Sequence, residues 1–153
     1  MKVLPFVAIT CFTLFTSFAH AKTCTKTEEI QAIALNMYHE ARGEGFAAMQ
    51  MVGEVTLNRV NSALYPKSIC AVVYQKSQFS WTVKKDKTPH EKDQWELALN
   101  IASKLVNGDI NYFHNGATHF VNPKFEHPMP KWTKKLKIVA KVGNHVFYSD
   151  EHV

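Results

Sequence analysis

The sequence predicts an α+β fold that is predominantly α, with a helical lobe followed by a small β-hairpin. Three stretches before Gly108 carry apolar residues at helical spacing. From Ile110 onward glycine, proline and aromatic residues break every helical period, and the stretch from Leu136 to Tyr148 then alternates around a Gly143-Asn144 pair. At 153 residues, 46% hydrophobic and 20% charged, the chain has apolar side chains for one core. No linker or repeat divides it after Lys22, so residues 22–153 are read as one domain.

The N-terminal stretch joins Lys2 to a short apolar run ending near Phe15, and Ala19 and Ala21 supply the small residues that a signal peptidase reads. Residues 1–21 are therefore expected to be a signal peptide, and the mature protein to be secreted or periplasmic. The alternative is an uncleaved membrane anchor, against which the apolar run falls short of the ~20 residues of a comfortable span. Cleavage removes Cys11 and leaves Cys24 and Cys70, an even pair that an oxidising compartment would join; two buried free thiols are the alternative. The formal charge is +5, and loss of Lys2 leaves 17 basic against 13 acidic residues, or +4. Such a field favours an anionic polymer. Nucleic acid is a poor second choice, because the chain has no arginine cluster or stacked aromatic platform.

The first helix is expected to start at Thr27 as N-cap, with Glu28 and Glu29 in its first turn and Ile30, Ile33, Ala34, Met37 and Ala41 on its buried stripe. Glu40 lies three residues after Met37 and seven after Ile33, at the edge of that stripe rather than on the solvated face. Gly43 and Gly45 end the helix. A second helix follows from Phe46 to Val60, and its Gly53 suggests that another backbone comes close. Pro66 and Ser68 introduce a short turn through Val73, and Gln78 to Trp81 reads as an exposed or cleft loop. Thr88, Pro89 and Glu91 have the pattern of a capping box at the start of a further helix, whose inner stripe is Trp95, Ala98, Ile101, Ala102 and Leu105. Irregular loops are expected around Gly116 to Phe120 and Pro128 to Trp132, then a hairpin turning at Gly143-Asn144.

A carboxylic acid at the seam of two packed helices can be kept protonated by desolvation, as a general acid requires at neutral pH. Glu40 is the first such group. His39-Glu40 begins like the zinc motif H-E-x-x-H, but Gly43 stands where the second histidine belongs, so no metal and no other cofactor is expected. Both mature cysteines are better used in a disulfide than as nucleophiles, and no G-x-S-x-G elbow is present.

Six ordered segments carry a resemblance: Tyr38-His39-Glu40-Ala41-Arg42-Gly43-Glu44, Val55 to Val60, Tyr65 to Cys70, Gln78-Phe79-Ser80-Trp81, Gly116-Ala117-Thr118-His119-Phe120 and Gly143 to Tyr148. From about Glu28 to Tyr148 the chain resembles the SleB-type cell wall hydrolases, the catalytic domains of spore-cortex lytic enzymes. The resemblance implies a lysozyme-like fold with a groove for peptidoglycan glycan strands, and Glu40 as the catalytic acid. It further implies cleavage between N-acetylmuramic acid and N-acetylglucosamine by a lytic transglycosylase; once the signal is cleaved, no stable membrane insertion is expected. The alternatives are a muramidase-type hydrolase and a non-catalytic wall-binding module. The separate peptidoglycan-binding domain of the spore enzymes has no counterpart in these residues, so general peptidoglycan is the expected substrate, and the protein is expected to be a monomer.

Glu44 is either a second catalytic carboxylate, one turn beyond Glu40 if the helix persists, or a partner for Arg42 or Arg59. Glu54 is assigned to a packing or solvated face. Sugar rings stack on aromatic faces, while their hydroxyl and acetamido groups need directional hydrogen bonds. Phe79, Ser80, Trp81, Thr118, His119, Trp132, Asn144, His145 and Tyr148 are accordingly the expected substrate-binding residues. Phe79 and Trp132 are equally suited to a core.

Overall fold

The computed structural model describes residues 24–150; the signal sequence inferred for residues 1–21 lies outside them. The helical lobe comprises α1 (Lys26–Ala41), α2 (Phe46–Asn61), the short α3 (Ile69–Val73) and α4 (Lys92–Asn107), with a 3₁₀ turn at Ser80–Val83. α1 is central to it, packing against α2, α3 and α4. Its apolar stripe is buried as the spacing requires, with Ile33, Ala34 and Met37 fully enclosed. A methyl group added at Gly53 would lie 2.5 Å from Leu105 and 2.8 Å from Met37. The close approach at this glycine is thus made by side chains of α4 and α1, not by another backbone.

Two helix starts differ from expectation. α1 is capped by Thr25, whose hydroxyl accepts from the Glu28 backbone N–H while the Glu28 carboxylate accepts from that of Thr25. This reciprocal box outcompetes Thr27, which has no such partner three residues on. α4 begins after Glu91, not after Thr88. The backbone N–H groups of His90 and Glu91 both donate to the Tyr38 hydroxyl at 3.0 Å, which lays residues 88–91 extended across α1.

The C-terminal third forms a three-stranded antiparallel sheet rather than an isolated hairpin. β2 (Lys137–Val142) and β3 (His145–Ser149) meet at the Gly143-Asn144 turn, and β1 (His119–Val121) joins the free edge of β3 to give the order β1-β3-β2. Gly143 takes φ +58°, as this tight turn demands. The β1 register pairs His119 with Tyr148 and Val121 with Val146. A bulge leaves Val139 without a partner between the Ile138–Tyr148 and Ala140–Phe147 pairs. It breaks the alternation expected through Leu136, Ile138 and Ala140 and leaves Ile138 exposed.

Cys24 and Cys70 are joined in a disulfide that ties the residue before the α1 cap to α3. Among the described residues no helix is long and apolar enough to cross a membrane.

Candidate active site

Between the helical lobe and the sheet lies a cleft of about 1350 Å³. That exceeds the several hundred cubic ångströms of a typical small-molecule pocket and suits a segment of polymer. The end of α1 brings Glu40 into it, and the loop after α3 contributes Tyr74, Gln78, Phe79 and Ser80 to one wall. β1 contributes His119 and Phe120, a second 3₁₀ turn at Lys131–Lys134 contributes Trp132, and β3 contributes His145.

Glu40 is partly buried, and among the described residues no hydrogen bond reaches its carboxylate. Burial pushes the carboxyl up to about 7; the nearby Lys84 ammonium opposes this and the Glu126 carboxylate adds to it. A group so placed is partly protonated at neutral pH without any donor to satisfy it. The ring of His145, itself almost fully buried, lies close to the Glu40 backbone at this end of the helix.

Glu44 has the opposite environment. α1 ends at Ala41, so Glu44 does not stack one helical turn beyond Glu40. Its carboxylate accepts from the backbone N–H of Asn144 at 2.8 Å and from the Asn144 side chain at 2.7 and 2.8 Å. These bonds hold its carboxyl below the usual range, so it is ionised at neutral pH. The partner is thus Asn144, not Arg42 or Arg59. Arg42 pairs with Glu91 at 2.8 Å.

Of the nine expected binding residues, Phe79, Ser80, His119, Trp132 and His145 line the cleft. Trp81, Thr118, Asn144 and Tyr148 stand behind it. Trp81 is 1% exposed, stacks on His39 and donates its indole N–H to Asn36. Tyr148 packs edge-on beneath Trp132. Thr118 is buried and bonded to Asp150. Glu54 takes the packing role: fully buried on α2, it accepts from Gln50 and from the Phe113 backbone N–H, holding down the loop that leads to β1.

Arg59 also lines the cleft but is absent from the residues expected to bind substrate. It is buried, donates to the Thr118 carbonyl at 2.7 Å and to Gln78 at 2.8 Å, and lies over the rings of Tyr65 and Phe79. It bolts the Gln78 loop to the residue that leads into β1. Its place within Val55 to Val60 was the available signal, together with the improbability of an arginine on the buried stripe of α2 without a function for its guanidinium.

Comparison with known proteins places the chain. Residues 43–148 match the profile of the Cell Wall Hydrolase family, a span beginning three residues after Glu40. The spore cortex-lytic enzyme of Bacillus subtilis (strain 168) is 36% identical over 120 residues, which is 78% of this chain and 37% of that protein. The corresponding enzyme of Bacillus cereus is 30% identical over 122 residues, 78% of this chain and 43% of the relative. The chain thus spans about two fifths of the length of these curated relatives. Among solved structures, the catalytic domain of the Bacillus cereus SleB protein superposes with a TM-score of 0.67 at 27% identity, covering 80% of this chain and 91% of that one. The catalytic domain of the germination-specific lytic transglycosylase SleB from Bacillus anthracis gives 0.63 at 25% identity, covering 84% and 98%. The chain belongs to the SleB-type cell wall hydrolase family, and its predominantly helical α+β fold is that of the SleB catalytic domains.

Proposed function

We propose that the protein is an exported enzyme that cleaves peptidoglycan glycan strands between N-acetylmuramic acid and N-acetylglucosamine, with Glu40 as its acid and base. The observation that carries this reading is a carboxyl raised to about 7 inside a polymer-sized cleft. Relatives named as spore cortex-lytic enzymes and a solved neighbour named as a lytic transglycosylase support it. The Cys24–Cys70 disulfide supports an oxidising, extracytoplasmic location.

Protonated Glu40 gives its proton to the leaving glycosidic oxygen as the muramic acid ring gains oxocarbenium character. The Glu40 carboxylate then takes the proton of the same sugar's 6-hydroxyl, whose oxygen closes on the anomeric carbon. One bond breaks, one forms, and no water is consumed; the product ends in a 1,6-anhydro ring. Because the attacking oxygen belongs to the substrate, ring closure has the advantage of an intramolecular reaction. One chain builds the whole cleft, so a monomer suffices.

Glu44 favours a second reading. It is ionised and lines the same cleft, where it could activate water in a hydrolase. Its carboxylate is occupied by three Asn144 bonds, which favours a structural role. A zymogram on purified cell wall separates the possibilities. Clearing by the wild type and by Glu44→Gln, with none by folded Glu40→Gln, is the expected result; clearing by Glu40→Gln removes Glu40 from the acid role, and no clearing by the wild type leaves a wall-binding module.

A further inference from the structure

We propose that His119 is an acceptor for the glycan, its Nε2 held ready for a sugar hydroxyl or acetamido N–H by Thr118 and Asp150, which fix the ring proton on Nδ1. The inference deepens the glycan-cleaving reading and rests on it for the identity of the ligand, but the proton's position follows from this chain alone.

The Thr118 hydroxyl has one proton and lies among three partners. It is 2.8 Å from an Asp150 carboxylate oxygen, 3.0 Å from His119 Nδ1, and 3.3 Å from the Asp150 backbone N–H, which donates to it. Tyr65 donates its hydroxyl to the other Asp150 oxygen at 2.7 Å. An ionised carboxylate only accepts, so the Thr118 proton must lie between Thr118 and Asp150. Burial pushes the Asp150 carboxyl up, but the bonds from Tyr65 and Thr118 outweigh it and hold the group below its ordinary value. Nothing is then left on Thr118 for Nδ1 to accept. Nδ1 must carry its own hydrogen and donate it to Thr118.

A second proton on the ring is disfavoured. Burial and the Arg59 guanidinium both lower the His119 pKa, against weaker support from Asp150. The neutral ring therefore presents Nε2 as a lone pair. Among the described residues no group hydrogen-bonds Nε2, and it is not among the buried atoms left without a partner, so it is open to the cleft that His119 lines. The ring centroid lies 6.3 Å from that of Tyr65 and 5.0 Å from that of Trp132. An acceptor beside an indole ring has the two elements that an amino sugar engages: one polar acceptor and one apolar ring.

Thr118 and Asp150 act through His119 and are positioning residues. Their effect belongs to binding of ground state and transition state alike, so it appears in KM rather than kcat. The test is nitrogen NMR of the imidazole in the labelled protein, with a chito-oligosaccharide as probe, alongside steady-state kinetics on soluble peptidoglycan fragments. The expected result is a neutral His119 protonated on Nδ1, whose Nε2 resonance alone moves when the oligosaccharide is added. Thr118→Val mixes the tautomers and raises KM roughly two- to ten-fold with kcat nearly unchanged, and Thr118→Ser restores both. A cello-oligosaccharide that moves Nε2 equally assigns the donor to a hydroxyl; one that does not assigns it to the acetamido group. A proton on Nε2 or an imidazolium at neutral pH in the wild type, which needs no variant to fold, overturns the inference. So does an Nε2 signal that ignores the chito-oligosaccharide while the enzyme still cleaves peptidoglycan. Failure of the wild type to cleave any glycan is the separate failure of the catalytic reading.

Discussion

Glu40 and Glu44 are four residues apart, line one cleft, and have their carboxyl pKa values shifted in opposite directions. Among the described residues no group hydrogen-bonds the Glu40 carboxyl, which loses solvation, while Glu44 is wrapped by Asn144. Replacing Glu40 by Gln keeps the shape and removes the acid, so glycan cleavage should fall about 10²- to 10⁴-fold in the folded variant, measured as release of soluble wall fragments. The same change should affect stability with a defined sign. A folded pKa of about 7 above an ordinary 4.5 means the folded state binds more protons between those values. The resulting stability is present below the lower value and is lost as pH rises through the upper one. Glu40→Gln escapes this loss and should be more stable than the wild type at pH above 7, by up to about 3 kcal/mol, with the difference vanishing under acid. Denaturant melts at both ends of the range check it; a pH-independent difference would contradict a raised Glu40. Wild-type activity should likewise decline as pH rises through about 7. Glu40 was legible in the sequence because its position depends on local helical spacing alone. The Glu44–Asn144 pairing was not, since it joins residues 100 positions apart through a fold not yet known.

Among the elements, those with long amphipathic patterns were readable and those fixed by distant partners were not. α1, α2 and the body of α4 follow their stripes. The α4 start departs from the Thr88 to Glu91 pattern because that sound local signal is overruled by the Tyr38 hydroxyl, which takes two backbone donors from the segment. Tyr38→Phe removes that acceptor and should cost about 1–3 kcal/mol, seen as a lower denaturation midpoint with an unchanged slope. An unchanged midpoint would mean that water replaces the phenol without loss. β1 carries no strand signal of its own because three residues are too few to display alternation; its pairing with β3 is supplied from the other side of the hairpin. The Val139 bulge was equally invisible, being a property of the register between two strands.

In the whole molecule, the cleft exists only when the sheet closes against the helical lobe, so its lining was legible as residue types but not as a surface. Trp81 and Tyr148 have the chemistry of sugar platforms and are spent on packing, whereas Arg59 looks like an ion-pair partner and holds the wall together. The Cys24–Cys70 bond closes a sequence separation of 46 residues, and in the chain-entropy model its reduction should cost on the order of 4 kcal/mol. Denaturation with and without reductant measures this, and equal midpoints would contradict it. The central claim is that one carboxyl, using the sugar's own 6-hydroxyl, suffices to break the strand. Digestion of purified peptidoglycan in water labelled with heavy oxygen, followed by mass spectrometry of the fragments, tests it most directly. The account predicts unlabelled 1,6-anhydromuramic ends, absent from a Glu40→Gln digest; reducing muramic ends carrying the label would contradict it and make the enzyme a hydrolase.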